Sequence, residues 1–159
     1  MADFKAMPEH SRVWIYQADR TFTEQEQDFI ESQLSTFIEN WTAHSKQLFA
    51  TGMLVFKKFL ILLVDEHNEA ASGCSIDSSV KMIQDLEMQL SCSFFDRLNF
   101  VYMDGDYIKT IHKDDMKQAY KNGAINDQTI FFNNLVSNKS ELESGWRVAL
   151  KESWHFQFT

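Results

Sequence analysis

Residues 59–64 form an unbroken apolar run, FLILLV, closed by Asp65. The run is far shorter than the roughly 20 residues a helix needs to cross a bilayer. Successive side chains of a strand point to opposite faces, so a run that is apolar at every position predicts a central strand of a sheet, Phe59–Asp65. Lys57-Lys58 just before it reads as a tight polar turn, and residues 47–56 read as the strand that leads into that turn. Such a strand needs core around it. The chain supplies it, with 159 residues of which 44% are apolar and 14% aromatic. A chain of this length buries roughly two thirds of its unfolded surface. One domain over residues 1–159 is expected.

The remaining elements follow from spacing and punctuation. Residues 12–18 (RVWIYQA) are aromatic and β-branched, hence a strand. Thr23 and Glu26 spell a capping box. Behind them Phe29, Ile30, Leu34, Phe37, Ile38 and Trp41 recur at the three-to-four spacing of an amphipathic helix. After a loop at 66–73, Ser75 or Asp77 can cap a second helix whose stripe is Ile76, Val80, Ile83, Leu86 and Leu90. Asp104-Gly105 between residues 98–103 and 106–111 predicts a hairpin, because both central residues of such a turn favour positive φ. A short helix over 113–121 stops near Gly123, residues 129–136 (TIFFNNLV) read as a strand, and Asn138 with Glu141 can cap a helical turn ending at Gly145. The aromatic stretch 146–158 is expected to pack onto the body. The order β-α-β-β-α-β of the first six elements matches the split, ferredoxin-like plan of four antiparallel strands under two helices. The fold class is therefore α+β, with further strand and helix added at the C-terminal side.

Fifteen basic and 23 acidic residues leave a net charge of −8. Phosphate backbones are gripped by basic excess, so nucleic acid is a disfavoured partner. Two cysteines, Cys74 and Cys92, are too few for a disulfide framework, and no secretory signal or membrane span is visible. Free thiols in a reducing, cytoplasmic setting are expected.

Several segments resemble, in order and over nearly the whole chain, a family of short bacterial proteins commonly labelled "ABC transporter ATPase". They are VWIYQADRTFT, NWTAH, ASGCSID, FDRLN, FNNLV and KESWH. The resemblance carries over no catalytic residue or cofactor. The label fails on the residues: an ATP-binding cassette needs a Gly-rich loop ending in Gly-Lys-Ser/Thr. Gly52, Gly73, Gly105, Gly123 and Gly145 are each followed by a residue other than Lys, and no two lie closer than 18 positions. No ATPase activity is expected.

Candidate chemistry gathers at the start of the second helix, residues 72–77 (SGCSID). Unpaired amides and the positive dipole end there stabilise anions, which would favour the Cys74 thiolate or hold an anionic ligand, and Ser75 and Asp77 are the candidate binding residues beside it. With His44 or His155 folded nearby as base, Cys74 would be an activated nucleophile. The plain alternative is that Ser, Gly and Asp only start the helix and that Cys74 is a small packed side chain. Asp65-Glu66-His67, Asp104 and Asp106 could hold a cation, but their spacing fits no metal motif, so no metal site is assigned and no cofactor is expected. Trp41 belongs to the helix stripe, whereas Trp146, Trp154 and His155 suit a pocket, an interface or a fastened tail. One of Asn133 and Asn134, adjacent in an apparent strand, must point inward and so either brace a loop or face a ligand. The leading functional expectation is a binding or interaction module for an unidentified protein or small ligand. A Cys74 enzyme or a ligand site at 73–77 is the alternative.

Overall fold

The computed structural model describes residues 1–159. Its regular elements in chain order are β1 (Arg12–Gln17), α1 (Glu24–Glu39), β2 (Thr42–Ala43), β3 (Lys46–Gln47), β4 (Phe49–Val55), β5 (Phe59–Asp65), α2 (Gly73–Leu90), β6 (Asn99–Asp104), β7 (Tyr107–His112), α3 (Met116–Lys121), β8 (Ile130–Phe132), α4 (Lys139–Gly145) and β9 (Arg147–Ala149). The class is mixed helix and antiparallel sheet, as expected. The residues divide into two units, Met1–Phe95 with Ser137–Ser140 and Asp96–Val136 with Glu141–Thr159.

In the first unit β5 is central, as its sequence predicts, in an antiparallel sheet of order β1-β5-β4. Arg12 pairs with Val64 and Gln17 with Phe59 on one side, and Phe49 with Asp65 and Val55 with Phe59 on the other. Every residue from Phe59 to Val64 is at most 1% exposed, so both faces of β5 are buried. Leu60, Leu62 and Val64 join Ile30, Leu34 and Ile38 of α1 and Ile83 and Leu86 of α2 in one core. A close approach makes this packing possible. A Cβ on Gly52 of β4 would stand 2.8 Å from Ile38 Cδ1 and 2.9 Å from Leu34 Cδ2, so glycine leaves room for the terminal methyls of α1 against the sheet.

The helix starts show how local chemistry sets boundaries. Thr23 Oγ1 accepts the Glu26 amide at 3.2 Å and Glu26 Oε1 accepts the Thr23 amide at 3.0 Å, the expected capping box. Arg20 then donates to both Glu26 oxygens, at 3.0 and 2.6 Å, and to the Leu90 carbonyl at 2.6 Å. The bidentate Arg20 contact, more than the Thr23 amide, holds the Glu26 carboxyl down at about 2. The cap of α2 is Ser72, not Ser75 or Asp77. Its Oγ accepts the Ser75 amide at 3.2 Å, while Ser75 Oγ donates to the Ser72 carbonyl at 2.8 Å. The buried stripe of α2 differs accordingly: Ser75 and Ser79 precede Ile83 and Leu86, and Ile76 and Val80 are only half-buried.

Other departures have equally local causes. The turn before β5 lies one residue early, with positive φ at Phe56 (53°) and Lys57 (55°), and Lys58 is buried with its carbonyl accepting the Ala18 amide at 2.8 Å. The strand expected over 47–56 divides, because Lys46–Gln47 pairs back with Thr42–Ala43. The ferredoxin-like plan places a fourth strand beside β1, yet β6 pairs with β7 and β8. The free edge of β1 is occupied instead by a distant segment: the Val13 amide donates to the Ser137 carbonyl at 2.9 Å, and Arg12 bridges Asn138. Further along β1, Phe95 makes a parallel bridge to Gln17. Buried Lys139 fastens the same segment to the N-terminal turn, its Nζ donating to the carbonyls of Phe4 at 3.0 Å and Met7 at 2.7 Å.

The second unit holds an antiparallel sheet of order β7-β6-β8-β9. Its hairpin turns at Gly105-Asp106 rather than Asp104-Gly105, since Asp104 pairs with Tyr107 and only Gly105 takes positive φ, at 62°. A glycine-first two-residue turn suits the strand twist equally well. Phe100, Met116, Ile125, Phe131 and Leu150 form the core, and Gly123 follows α3 with φ 81°. The aromatic tail packs as expected, with Trp154 and Phe158 at 5.3 and 5.4 Å from the Phe100 ring. The strand expected over 129–136 stops at Phe132, so Asn133 and Asn134 lie outside it. Asn133 Oδ1 accepts the Leu135 amide at 3.1 Å and Asn134 Oδ1 accepts Trp146 Nε1 at 3.0 Å. Side-chain bonds of this kind compete with a ladder and end it.

Replacing Thr23 by Ala removes one half of the capping box and should destabilise the protein by about 1 kcal/mol. Urea denaturation measures this directly, and an unchanged midpoint would show that the cap contributes nothing to α1.

Candidate functional site

The helices α1 and α2 run antiparallel and are held together at both ends. Arg20, bonded to Glu26 in the first turn of α1, also takes the last carbonyl of α2, Leu90. At the opposite end Trp41, two residues past α1, donates its Nε1 to the Ser75 carbonyl in the first turn of α2 at 2.8 Å. Trp41 is 2% exposed and packs against Phe37 and Trp14, at ring separations of 5.1 and 6.2 Å. The Tyr16 hydroxyl meets Ser79, and burial raises its pKa above the ordinary value. The serines of α2 thus give the buried Trp41 and the half-buried Tyr16 their polar partners.

Between these clamps the helices part into a groove of about 300 Å³, with Gln33 and Phe37 on the α1 side and Ser78, Lys81, Met82, Asp85, Leu86 and Gln89 on the α2 side. Phe37, Met82 and Leu86 give it an apolar floor. Two amides, a hydroxyl, one cation and one anion form the rim. Lys81 and Asp85 stand one helical turn apart, both exposed and neither in an ion pair. Sequence reading passed over them because charged residues on the outer flank of a helix look like any solvated face. Phe37 and Leu86 alone carried a signal, as parts of the α1 and α2 stripes.

The residues singled out from sequence occupy varied surroundings. Cys74, the second residue of α2, is exposed and not packed in a core. His44 is exposed at the β2–β3 turn, where it and Ser45 take positive φ of 51° and 66°. Ser75 is buried in the α2 cap and Asp77 is exposed just past the first turn. In the second unit His155 is 2% exposed, stacked on Trp154 at 4.1 Å, with the Phe100 and Phe131 rings at 4.6 and 5.2 Å. Its Nδ1 meets Ser153 Oγ at 2.5 Å, and burial pulls its pKa down to about 4. Trp154 Nε1 lies buried without a hydrogen-bond partner in the same cluster. The tail pair Trp154-His155 therefore packs inside an aromatic core, and Asn133 braces its own loop.

Asp65 and its neighbours build a network of ion pairs. Burial alone would raise the Asp65 carboxyl, but the His67 amide and His10 Nε2, each at 3.0 Å, hold it below the usual value. Glu66 meets Arg12 at 3.7 Å and the Ala71 amide at 2.9 Å, and Glu69 meets Lys46 at 3.5 Å. His10, 55 positions from Asp65, carried no sequence signal for this role. Asp104 is paired with Lys109. No group of three or more His, Cys, Asp or Glu side chains is placed to share a metal ion.

No family model, curated protein or solved structure matches the chain.

The two thiols should separate on alkylation. Cys92 is half-buried and burial pushes its pKa up to about 11, whereas Cys74 is exposed. At pH 7 iodoacetamide should label Cys74 well before Cys92, followed peptide by peptide in a mass spectrometer. Equal rates would contradict these placements. The pH profile tests His155. Its folded pKa of about 4 lies below the ordinary 6.5, so the unfolded chain takes up this proton first as pH falls. The stability from a neutral buried imidazole is complete above pH 6.5 and lost towards pH 4, by on the order of 3 kcal/mol. Urea midpoints should fall through that window, and a flat profile would rule out a neutral buried ring.

Proposed function

We propose that the protein is a non-enzymatic binding or interaction domain whose binding surface is the groove between α1 and α2. The supporting observation is the apolar floor of Phe37, Met82 and Leu86 left open between two helices that are clamped at both ends. A concave apolar floor with a few polar groups at its rim is the usual arrangement of a ligand or partner site. The clamps fix the floor in advance, so little ordering cost falls on binding. No ATPase activity belongs to this reading, since five isolated glycines supply no phosphate loop. The resemblance to short bacterial proteins bearing the ATPase label adds no phosphate-binding residue. A second reading, a Cys74-dependent enzyme or a ligand site at 73–77, draws on the exposure of Cys74 at the first turn of α2.

Amide chemical-shift mapping with a library of small amphipathic fragments separates the two. The expected result is a set of shifts centred on Phe37, Met82 and Leu86 that disappears in Ser78→Trp, where the indole fills the groove, together with no shifts on adding MgATP. Fragments gathering at residues 72–77 instead, or saturable Mg-dependent ATP binding, would overturn the proposal.

A further inference from the structure

Along the solvent side of α2, Ser78, Lys81, Asp85 and Met88 recur at spacings of three and four and form a single exposed stripe. Its charges are one Lys and one Asp, a turn apart and each without an ion-pair partner. Its apolar member, Met88, is 81% exposed, among the most exposed large apolar side chains of the chain. A stripe of one cation and one anion is complementary to itself when turned end for end.

We propose that the chain pairs with a second copy of itself through α2, the two helices antiparallel about a two-fold axis midway between Lys81 and Asp85, with Lys81 of each copy facing Asp85 of the other. This rests on the reading of the groove as a binding surface and names its occupant. In an antiparallel pair the facing positions sum to a constant, so 81 opposite 85 sets 78 opposite 88 and 77 opposite 89. Met88 of one copy then lies over Ser78 of the other, where a small side chain leaves the wall of the groove low and the apolar floor beside it open. Asp77 comes to face Gln89, a carboxylate opposite an amide donor. The two-fold makes every contact occur twice, as an isologous interface requires. Shifting the register so that Lys81 faces Lys81 sets like charges together and disfavours that pairing.

Sedimentation of the full chain tests this. The wild type should move reversibly from 18.6 kDa to twice that mass over the micromolar range. Lys81→Glu and Asp85→Lys each place like charges at both symmetric contacts and should raise the dissociation constant about a hundredfold or more. Mixed together, the two single variants restore both contacts in every heterodimer and should reassociate, as should the double variant with itself. Both positions are exposed, and unchanged circular dichroism confirms folding. A dimer indifferent to these charge changes would overturn the proposal, because another surface would be holding it. A strictly monomeric wild type overturns it too. If that monomer still shows fragment shifts at Phe37, Met82 and Leu86, the binding reading survives the loss of this occupant.

Discussion

A strand with no polar side chain between Phe59 and Val64 has to be buried on both faces, and the first unit is built around β5. β1 and β4 take its hydrogen-bonding edges, and α1 and α2 cover the face formed by Leu60, Leu62 and Val64. Each fully buried Leu or Ile contributes about 1.5–3 kcal/mol, so this strand outweighs any single polar contact in the chain. The packing also dictates composition nearby. Gly52 stands where the terminal methyls of Leu34 and Ile38 press on the sheet, and a Cβ there would force those methyls to shift.

Once the helices are laid on the sheet, polar contacts decide how they meet. Arg20 and Trp41 act at opposite ends, one through a guanidinium on a carboxylate and a carbonyl, the other through an indole N–H on a carbonyl. The Leu90 carbonyl ends α2, where carbonyls lack partners within the helix and are satisfied by such a donor, whereas the Ser75 carbonyl in the first turn gains the indole as a further donor. The middle of the helix pair has no such bridge. There Phe37 and Met82 are only half-buried, over the buried Leu86, and the rim is polar. The groove is thus a product of where the clamps act.

Much of the fold was legible along the chain. The capping box at Thr23 and Glu26, the central position of Phe59–Asp65 and the packed aromatic tail all depend on residues close in sequence or on hydrophobic pattern, which periodicity reads directly. Errors of one or two residues arose where side chains compete with the backbone: Ser72 took the α2 cap from Ser75, and the Asn133 side chain ended β8 early. The candidate site was far less legible. Cys74, Asp77 and His44 were singled out for their chemistry, but the groove is lined by Gln33, Lys81, Asp85 and Gln89, ordinary residues of exposed helix flanks until two flanks are brought side by side.

The amino-acid sequence by itself determined the class, α+β, and the kinds and order of most elements, because period and capping act over a few residues. It also determined that no phosphate loop can be built, because five scattered glycines cannot form one. Tertiary structure decided which strand lies at the edge of β1, because Ser137 and Asn138 reach it from more than a hundred residues away. It decided that β6 enters a sheet with β7 and β8, and that His155 is a neutral ring in an aromatic core. It also decided that the polar flanks of α1 and α2 enclose a groove. These outcomes depend on pairings between distant residues, and such pairings leave no local pattern in the chain.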